Sequence, residues 1–350
     1  MTHIPIINAV GRPISYRFSV FCLTVGLAII SLILLSWTEA SARTKDRHNK
    51  SRIVQKKPIL KKETIKKKNH KKKPSQAAQS VQAKAVYCVD LGKNETLLAR
   101  NPDRKMPVAS LTKLVTALVT LDHLTLDKRV AVPDDIKSTP KSVVGLKPGD
   151  RLTVEDLLHG LLIGSGNDCA ETLAEAFPGG RKKFIAAMNR KARTLGAKQT
   201  VFYTPSGLDR KTTSTEEGKT SVEVDSNQST AREIAQVARA AFENKTIREI
   251  CMKKSHVITG SDDESYTVRT TNKLLRDNLP LAGGKTGYTC RAGHCLASEF
   301  RPGRHAILIV VLGSPDHFKD TRLLYRKALK EATRITIPPV HRSADRIAAN

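Results

Sequence analysis

The run Pro107-Val108-Ala109-Ser110-Leu111-Thr112-Lys113-Leu114-Val115-Thr116-Ala117-Leu118-Val119-Thr120-Leu121-Asp122 decides how this chain is read. From Ser110 to Asp122 it predicts a helix. Its apolar residues, Leu111, Leu114, Val115, Ala117, Leu118, Val119 and Leu121, surround the axis instead of forming a stripe, so the helix belongs in the interior. Lys113 lies inside that run. An ammonium placed there loses its water and must find compensation or give up its proton, and a neutral lysine is a base. Ser110 sits three residues earlier, on the same face and at the helix N-terminus, so its hydroxyl comes within reach of the amine. The pair combines a nucleophile with its base. The positive helix end and the Ser110 N–H would favour a developing oxyanion. The competing reading is a lysine that snorkels from a partly exposed helix, and Ser-x-x-Lys alone is common by chance.

Two further elements change that balance. Thr153 with Asp156 caps a second helix through Leu157, Leu158, Leu161 and Leu162. It breaks at Gly164-Ser165-Gly166-Asn167, where a hydroxyl and a carboxamide on a glycine-relieved turn can face a cleft. Lys285-Thr286-Gly287 opens a strand after Gly283-Gly284, and Gly287 removes the side chain where a ligand backbone can lie against the edge. Each is weak alone. Together, in this order and 55 and 120 residues from Ser110 and Ser165 respectively, they match the three-part set of penicillin-binding proteins and class A β-lactamases.

At these residues the sequence resembles the low-molecular-mass penicillin-binding proteins, the serine D-alanyl-D-alanine carboxypeptidases and endopeptidases of the bacterial cell wall. The similarity runs from about residue 84 to 330. It takes in Phe184-Ile185-Ala186-Ala187-Met188-Asn189, Leu195-Gly196, Ser229-Thr230-Ala231, Thr271-Asn272-Lys273-Leu274-Leu275 and Ala292-Gly293-His294-Cys295. The stretch from Tyr288 to Cys295 looks more like the endopeptidase branch, the Ser165-to-Asp168 loop more like carboxypeptidases. The resemblance implies an α+β fold of the β-lactamase/penicillin-binding-protein type: a five-stranded antiparallel sheet flanked by helices, plus a helical subdomain. It implies Ser110 as nucleophile, Lys113 as its base, and Ser165 with Lys285 as a proton relay to the leaving amine. Asn167 would hold the acyl-side amide, and the N–H of Ser110 and Tyr288 the oxyanion. Lys285 and Thr286, flanked by Gly287, would bind a carboxylate near the leaving group, helped by Arg322, whose spacing after Phe318-Lys319 is one residue longer than in the family. No cofactor or metal is implied. The expected partners are peptidoglycan peptides, with β-lactams as covalent inhibitors.

The expected activity is that of a serine-type D-alanyl-D-alanine carboxypeptidase working through an acyl-serine. The alternatives are an endopeptidase for peptidoglycan crosslinks, a β-lactamase or esterase with fast deacylation, and a non-catalytic polyanion-binding membrane protein.

Local patterning fits that fold. Ala85, Tyr87 and Val89 alternate as a strand does, and Phe184, Met188 and Ala192 outline a helix stopped at Gly196. Residues 285–299 and Ala306–Leu312 flank Arg301-Pro302-Gly303 as a hairpin, and a helix near 320–332 closes the domain. The twenty mostly polar residues between Leu208 and Ser229 are longer than relatives use and read as a disordered insertion rather than a cleft flap. Glu223 and Asn227 within it share the spacing of a β-lactamase deacylating pair, but their neighbours do not match. Cys290, His294 and Cys295 read as packing residues rather than metal ligands.

The chain has 350 residues and a formal charge of +27. Phe18 to Trp37 pass without a charge between Arg12/Arg17 and the small-x-small Ala40-Ser41-Ala42, so residues 1–42 are expected to be a signal peptide or membrane anchor. Export to the periplasm or the outer face of the cytoplasmic membrane follows, although basic residues after the segment argue against it by the positive-inside rule. Residues 43–80 hold fifteen Lys/Arg against Asp46 and Glu63. The 43–82 stretch is therefore expected to be a disordered linker, either a solvated spacer or an arm for anionic envelope polymers or lipid. Aromatics are 4% of the chain, which disfavours a nucleic-acid partner read by base stacking. Residues 83–335 then form one peptidase domain and 336–350 a tail. Six cysteines are too few for a disulfide scaffold.

Overall fold

A computed structural model describes residues 80–334, except 217, 218, 262 and 263. Residues 1–42, expected to be a targeting segment, almost all of the expected linker and the expected tail lie outside the described residues.

Five strands form one antiparallel sheet: β1 (Ala85–Asp90), β2 (Glu95–Arg100), β3 (Leu281–Thr289), β4 (Gly293–Phe300) and β5 (Ile307–Ser314), in the order β3-β4-β5-β1-β2. Every residue of β1 and of β5 is buried, so the alternation read at 85, 87 and 89 is only one face of a strand covered on both. Ala85, Tyr87, Val89, Leu308, Val310 and Leu312 enter one core, while Val86, Cys88, Ile307, Ile309 and Val311 enter another. Period-two side chains demand this division. The second core is completed by Leu324, Tyr325, Ala328 and Ala332 of a C-terminal helix. The expected single strand 285–299 is instead two, β3 and β4, because Cys290-Arg291-Ala292 turns the chain, with Ala292 N–H on the Thr289 hydroxyl.

Among the described residues seven α-helices follow in chain order: α1 (Lys113–His123), α2 (Val154–Leu162), α3 (Asn167–Glu175), α4 (Gly180–Thr194), α5 (Ala231–Glu243), α6 (Lys245–Met252) and α7 (His317–Arg334). None is long and apolar enough to cross a membrane. Lys113 to Thr120 of α1 are all buried, as an apolar girdle requires, and each fully buried leucine contributes about 1.5–3 kcal/mol. The cap expected for α2 is present: Thr153 Oγ1 accepts the Asp156 N–H at 3.0 Å and donates to Asp156 Oδ2 at 2.6 Å. Phe184, Met188 and Ala192 form the buried stripe of α4.

Residues 209–228 are not a disordered insertion. Arg210–Glu216 and Lys219–Asp225 pair as an antiparallel hairpin, because alternating Thr, Ser and Val favour extended backbone and Arg210 bonds Asp225 across the base of the hairpin. Its C-terminal end continues into Gln228–Ser229, which pairs with Met106–Pro107 immediately before the serine turn.

Candidate active site

The serine turn is set by its neighbours. Ala109 to Thr112 form a 3-10 turn ahead of α1, so the regular helix begins at Lys113 and not at Ser110 as expected. Ala109 has φ +47°, a left-handed conformation costly for a residue with a Cβ. Two contacts hold it there. Val108 N–H donates to the Asn227 carbonyl at 3.1 Å, and Gly207 packs so closely that a Cβ at that position would come within 2.1 Å of the Ala109 carbonyl. No side chain caps the turn, which leaves the Ser110 hydroxyl uncommitted to the backbone.

Lys113 is fully buried. Its Nζ lies 2.9 Å from Ser110 Oγ, 2.7 Å from Asn167 Oδ1 and 2.7 Å from the Ser206 carbonyl. The last two are acceptors only. A neutral amine has two N–H groups and one lone pair, so satisfying both carbonyl oxygens turns the lone pair toward Ser110. Burial pushes its pKa well below the ordinary lysine value, and the charge of Lys285 pushes the same way. The nearby acidic Glu171 opposes the shift.

Ser165 occupies the α2–α3 break with φ +59°, and Lys285 Nζ reaches its Oγ at 2.8 Å and the Thr286 carbonyl at 3.0 Å. Burial lowers the Lys285 pKa to about 8. Asn167 is 2% exposed, and its amide donates to the Pro140 and Lys141 carbonyls at 3.0 and 2.7 Å while its oxygen takes Lys113. The side chain thus positions Lys113, and its oxygen keeps one lone pair beyond the Lys113 contact. The Asp168 carboxylate next to it accepts N–H groups from Val144, Gly145 and Leu146, fixing the loop that forms the opposite wall.

Gly287 meets a constraint that its sequence context did not show. A Cβ there would lie 3.0 Å from Ser110 N and 3.2 Å from Ala109 Cβ, so its bare Cα lets β3 press against the serine turn. Thr286, one residue back, pairs its hydroxyl with that of Thr271 at 2.5 Å. Tyr288 is exposed and stacks on His294, which stacks on His317 with ring centroids 4.9 Å apart. Burial, then the His294 charge, lowers the His317 pKa to about 4. Ser110, Ser165, Asn167, Thr286, Gly287 and Tyr288 line one cleft of about 840 Å³.

Arg322 is not among them. Its guanidinium makes a two-point pair with Asp277, at 2.7 and 3.2 Å. Glu223 is exposed on the hairpin, and Asn227 is spent on Thr112, Tyr203 and Thr204, so the β-lactamase-like spacing brings no pair to the serine. His294 packs in the stack just described, and Cys295 is buried. Of the five described cysteines, all free, Cys290 alone is exposed. Ser206, Thr271 and Lys273 also line the cleft, and sequence reasoning did not single them out. Pro205-Ser206-Gly207 carried a signal in its glycine, and Thr271 and Lys273 lay inside a recognised block without a role.

A family model described as D-alanyl-D-alanine carboxypeptidase matches residues 70–316. The D-alanyl-D-alanine endopeptidase of Escherichia coli K12 is 36% identical over 247 residues, 67% of this chain and 74% of the relative. The D-alanyl-D-alanine carboxypeptidase DacB2 of Mycobacterium tuberculosis is 35% identical over 225 residues, 64% of this chain and 72% of the relative. A crystal structure of a D-alanyl-D-alanine carboxypeptidase from M. tuberculosis H37Rv superposes with a TM-score of 0.64 at 31% identity, covering 75% of this chain and 94% of that one.

Proposed function

We infer from one premise, that the chain belongs to the D-alanyl-D-alanine carboxypeptidase family, that it hydrolyses the terminal D-Ala-D-Ala bond of peptidoglycan stem peptides through an acyl-serine. The observation that carries this reading is the buried Lys113 amine, held by two carbonyl oxygens with its remaining valence directed at Ser110 Oγ. Ser110 Oγ attacks the carbonyl of the penultimate D-alanine as Lys113 takes its proton. The N–H groups of Ser110 and Tyr288 receive the oxyanion. As the C–N bond breaks, a proton reaches the leaving amine through Ser165, with the Lys285 ammonium behind it. D-alanine departs, water attacks the ester, and Ser110 regains its proton. β-lactams acylate the same oxygen. The substrate places the protein in the cell envelope, and export to the periplasm or the outer membrane face is part of this reading.

Crosslink cleavage is the second reading, favoured by the Tyr288–Cys295 stretch and the 36% identity to the E. coli endopeptidase. Digestion of purified uncrosslinked and crosslinked muropeptides, read by mass spectrometry, separates the two. Loss of terminal D-Ala is expected, abolished by Ser110→Ala. Conversion of dimers to monomers without D-Ala release would establish the second reading, and neither product from the wild type would refute both.

A further inference from the structure

With Arg322 committed to Asp277, the cleft needs another cation for a leaving-group carboxylate, and its walls narrow the choice. Lys113 and Lys285 are buried, with their amines on Ser110, Asn167 and Ser206, and on Ser165 and the Thr286 carbonyl. Arg181 is paired with Glu171, and Arg210 with Asp225. Among the described residues Lys141, Lys211 and Lys273 line the cleft without an acidic partner.

Position along β3 separates these three. On the proposed function above, the scissile carbonyl lies at Ser110 and Tyr288. Thr286 precedes Tyr288 by one pleat on the same strand face, and it is beside Thr286 that the family resemblance puts the carboxylate of the leaving residue. Thr271 meets Thr286 there, hydroxyl to hydroxyl at 2.5 Å, and Lys273 is two residues further on. In such a pair one hydroxyl donates to the other, and the second proton remains available to an outside acceptor. Lys273 is exposed, its Nζ stands 5.8 Å from the Phe318 ring centroid at the start of α7, and its charge reaches His317. Lys141 belongs to the opposite wall beside Asn167, and Lys211 to the hairpin.

We propose that Lys273, with the Thr271–Thr286 hydroxyl pair, binds the α-carboxylate of the leaving residue, and that Arg322 does not. Its site requires a free carboxylate on the substrate or inhibitor. The proposal rests on the hydrolase reading, and its test separates the two. Purified full-length protein is acylated with benzylpenicillin and with benzylpenicillin methyl ester, and the rate constants for Ser110 adduct formation are compared by intact mass. Wild type is expected to prefer the free acid by about tenfold or more, the value of one charge-assisted contact. Lys273→Ala is expected to bring that ratio near one by slowing the acid alone, Lys273→Arg to restore most of it, and Lys273→Glu to favour the ester. The ester rate reports the integrity of the folded nucleophile in every variant. An acid-to-ester ratio unchanged in Lys273→Ala overturns the proposal while leaving the hydrolase reading intact. Absence of any adduct on wild type overturns both.

Discussion

At the scale of single residues the site is two buried lysines, each made useful by the cost of keeping it charged. For Lys285 the consequence for stability has a definite sign. Burial lowers its pKa from 10.5 to about 8, so between those values the unfolded chain binds the proton that the folded chain has released, and stability rises with pH. Below pH 8 both states are protonated and the folded protein carries the full desolvation penalty. Lys285→Met removes that dependence. Denaturant midpoints at pH 7.5 and 10 should show the wild type gaining on the variant as pH rises, by on the order of 2 kcal/mol over that window. Equal pH responses would show that the amine is not desolvated. The same loss of ammonium should give the acylation rate an alkaline limb near pH 8, because Lys285 holds Ser165 as a charged donor.

Elements bring these residues together by unusually close backbone contact. The 3-10 turn at 109–112, the break at Ser165 and strand β3 converge where Gly287 meets Ser110. All three nearest atoms around a Cβ at 287 belong to Ala109, Ser110 or Leu111, and two of them are backbone nitrogens, so Gly287→Ala has no flexible side chain to displace. Its expected effect is a displacement of β3 from the serine turn and a loss of about a hundredfold in acylation rate, with the thermal transition retained. Stopped-flow acylation with a fluorescent penicillin measures it, and an unchanged rate would show that the contact is not part of the working geometry. The hairpin at 210–225 is held at its base by Arg210 to Asp225, and Arg291 of the β3–β4 turn donates to the Val224 carbonyl at 3.3 Å. Polar composition suggested no structure for it, yet β-branched residues in alternation and a cross-strand ion pair suffice to pair two strands.

Over the whole molecule, the sequence was most legible where a residue contradicted its surroundings. A lysine within Leu111–Leu121 had to be explained, and its explanation led to Ser110, Ser165 and Lys285, which the structure brings together. Helices with strong periodicity, such as α2 and α4, were equally readable. Other features depended on packing that no local pattern encodes. Asn167 was expected beside the substrate from its type and place, while its donors to the Pro140 and Lys141 carbonyls had no local signal. The pairing of Arg322 with Asp277, 45 residues away, was not legible either. β1 read as half-buried because the helix that covers its second face, α7, starts more than two hundred residues later.

The central claim is that Lys113 works as an unprotonated amine against Ser110. The most direct test follows the second-order rate of Ser110 acylation by benzylpenicillin against pH in wild type and in Lys113→Arg, whose guanidinium stays charged throughout. The expected wild-type profile has an acidic limb whose midpoint lies well below the ordinary lysine value of 10.5, and Lys113→Arg should lose about a thousandfold or more at every pH. A wild-type rate still climbing toward pH 10.5, or an arginine variant that acylates at the wild-type rate, would contradict it.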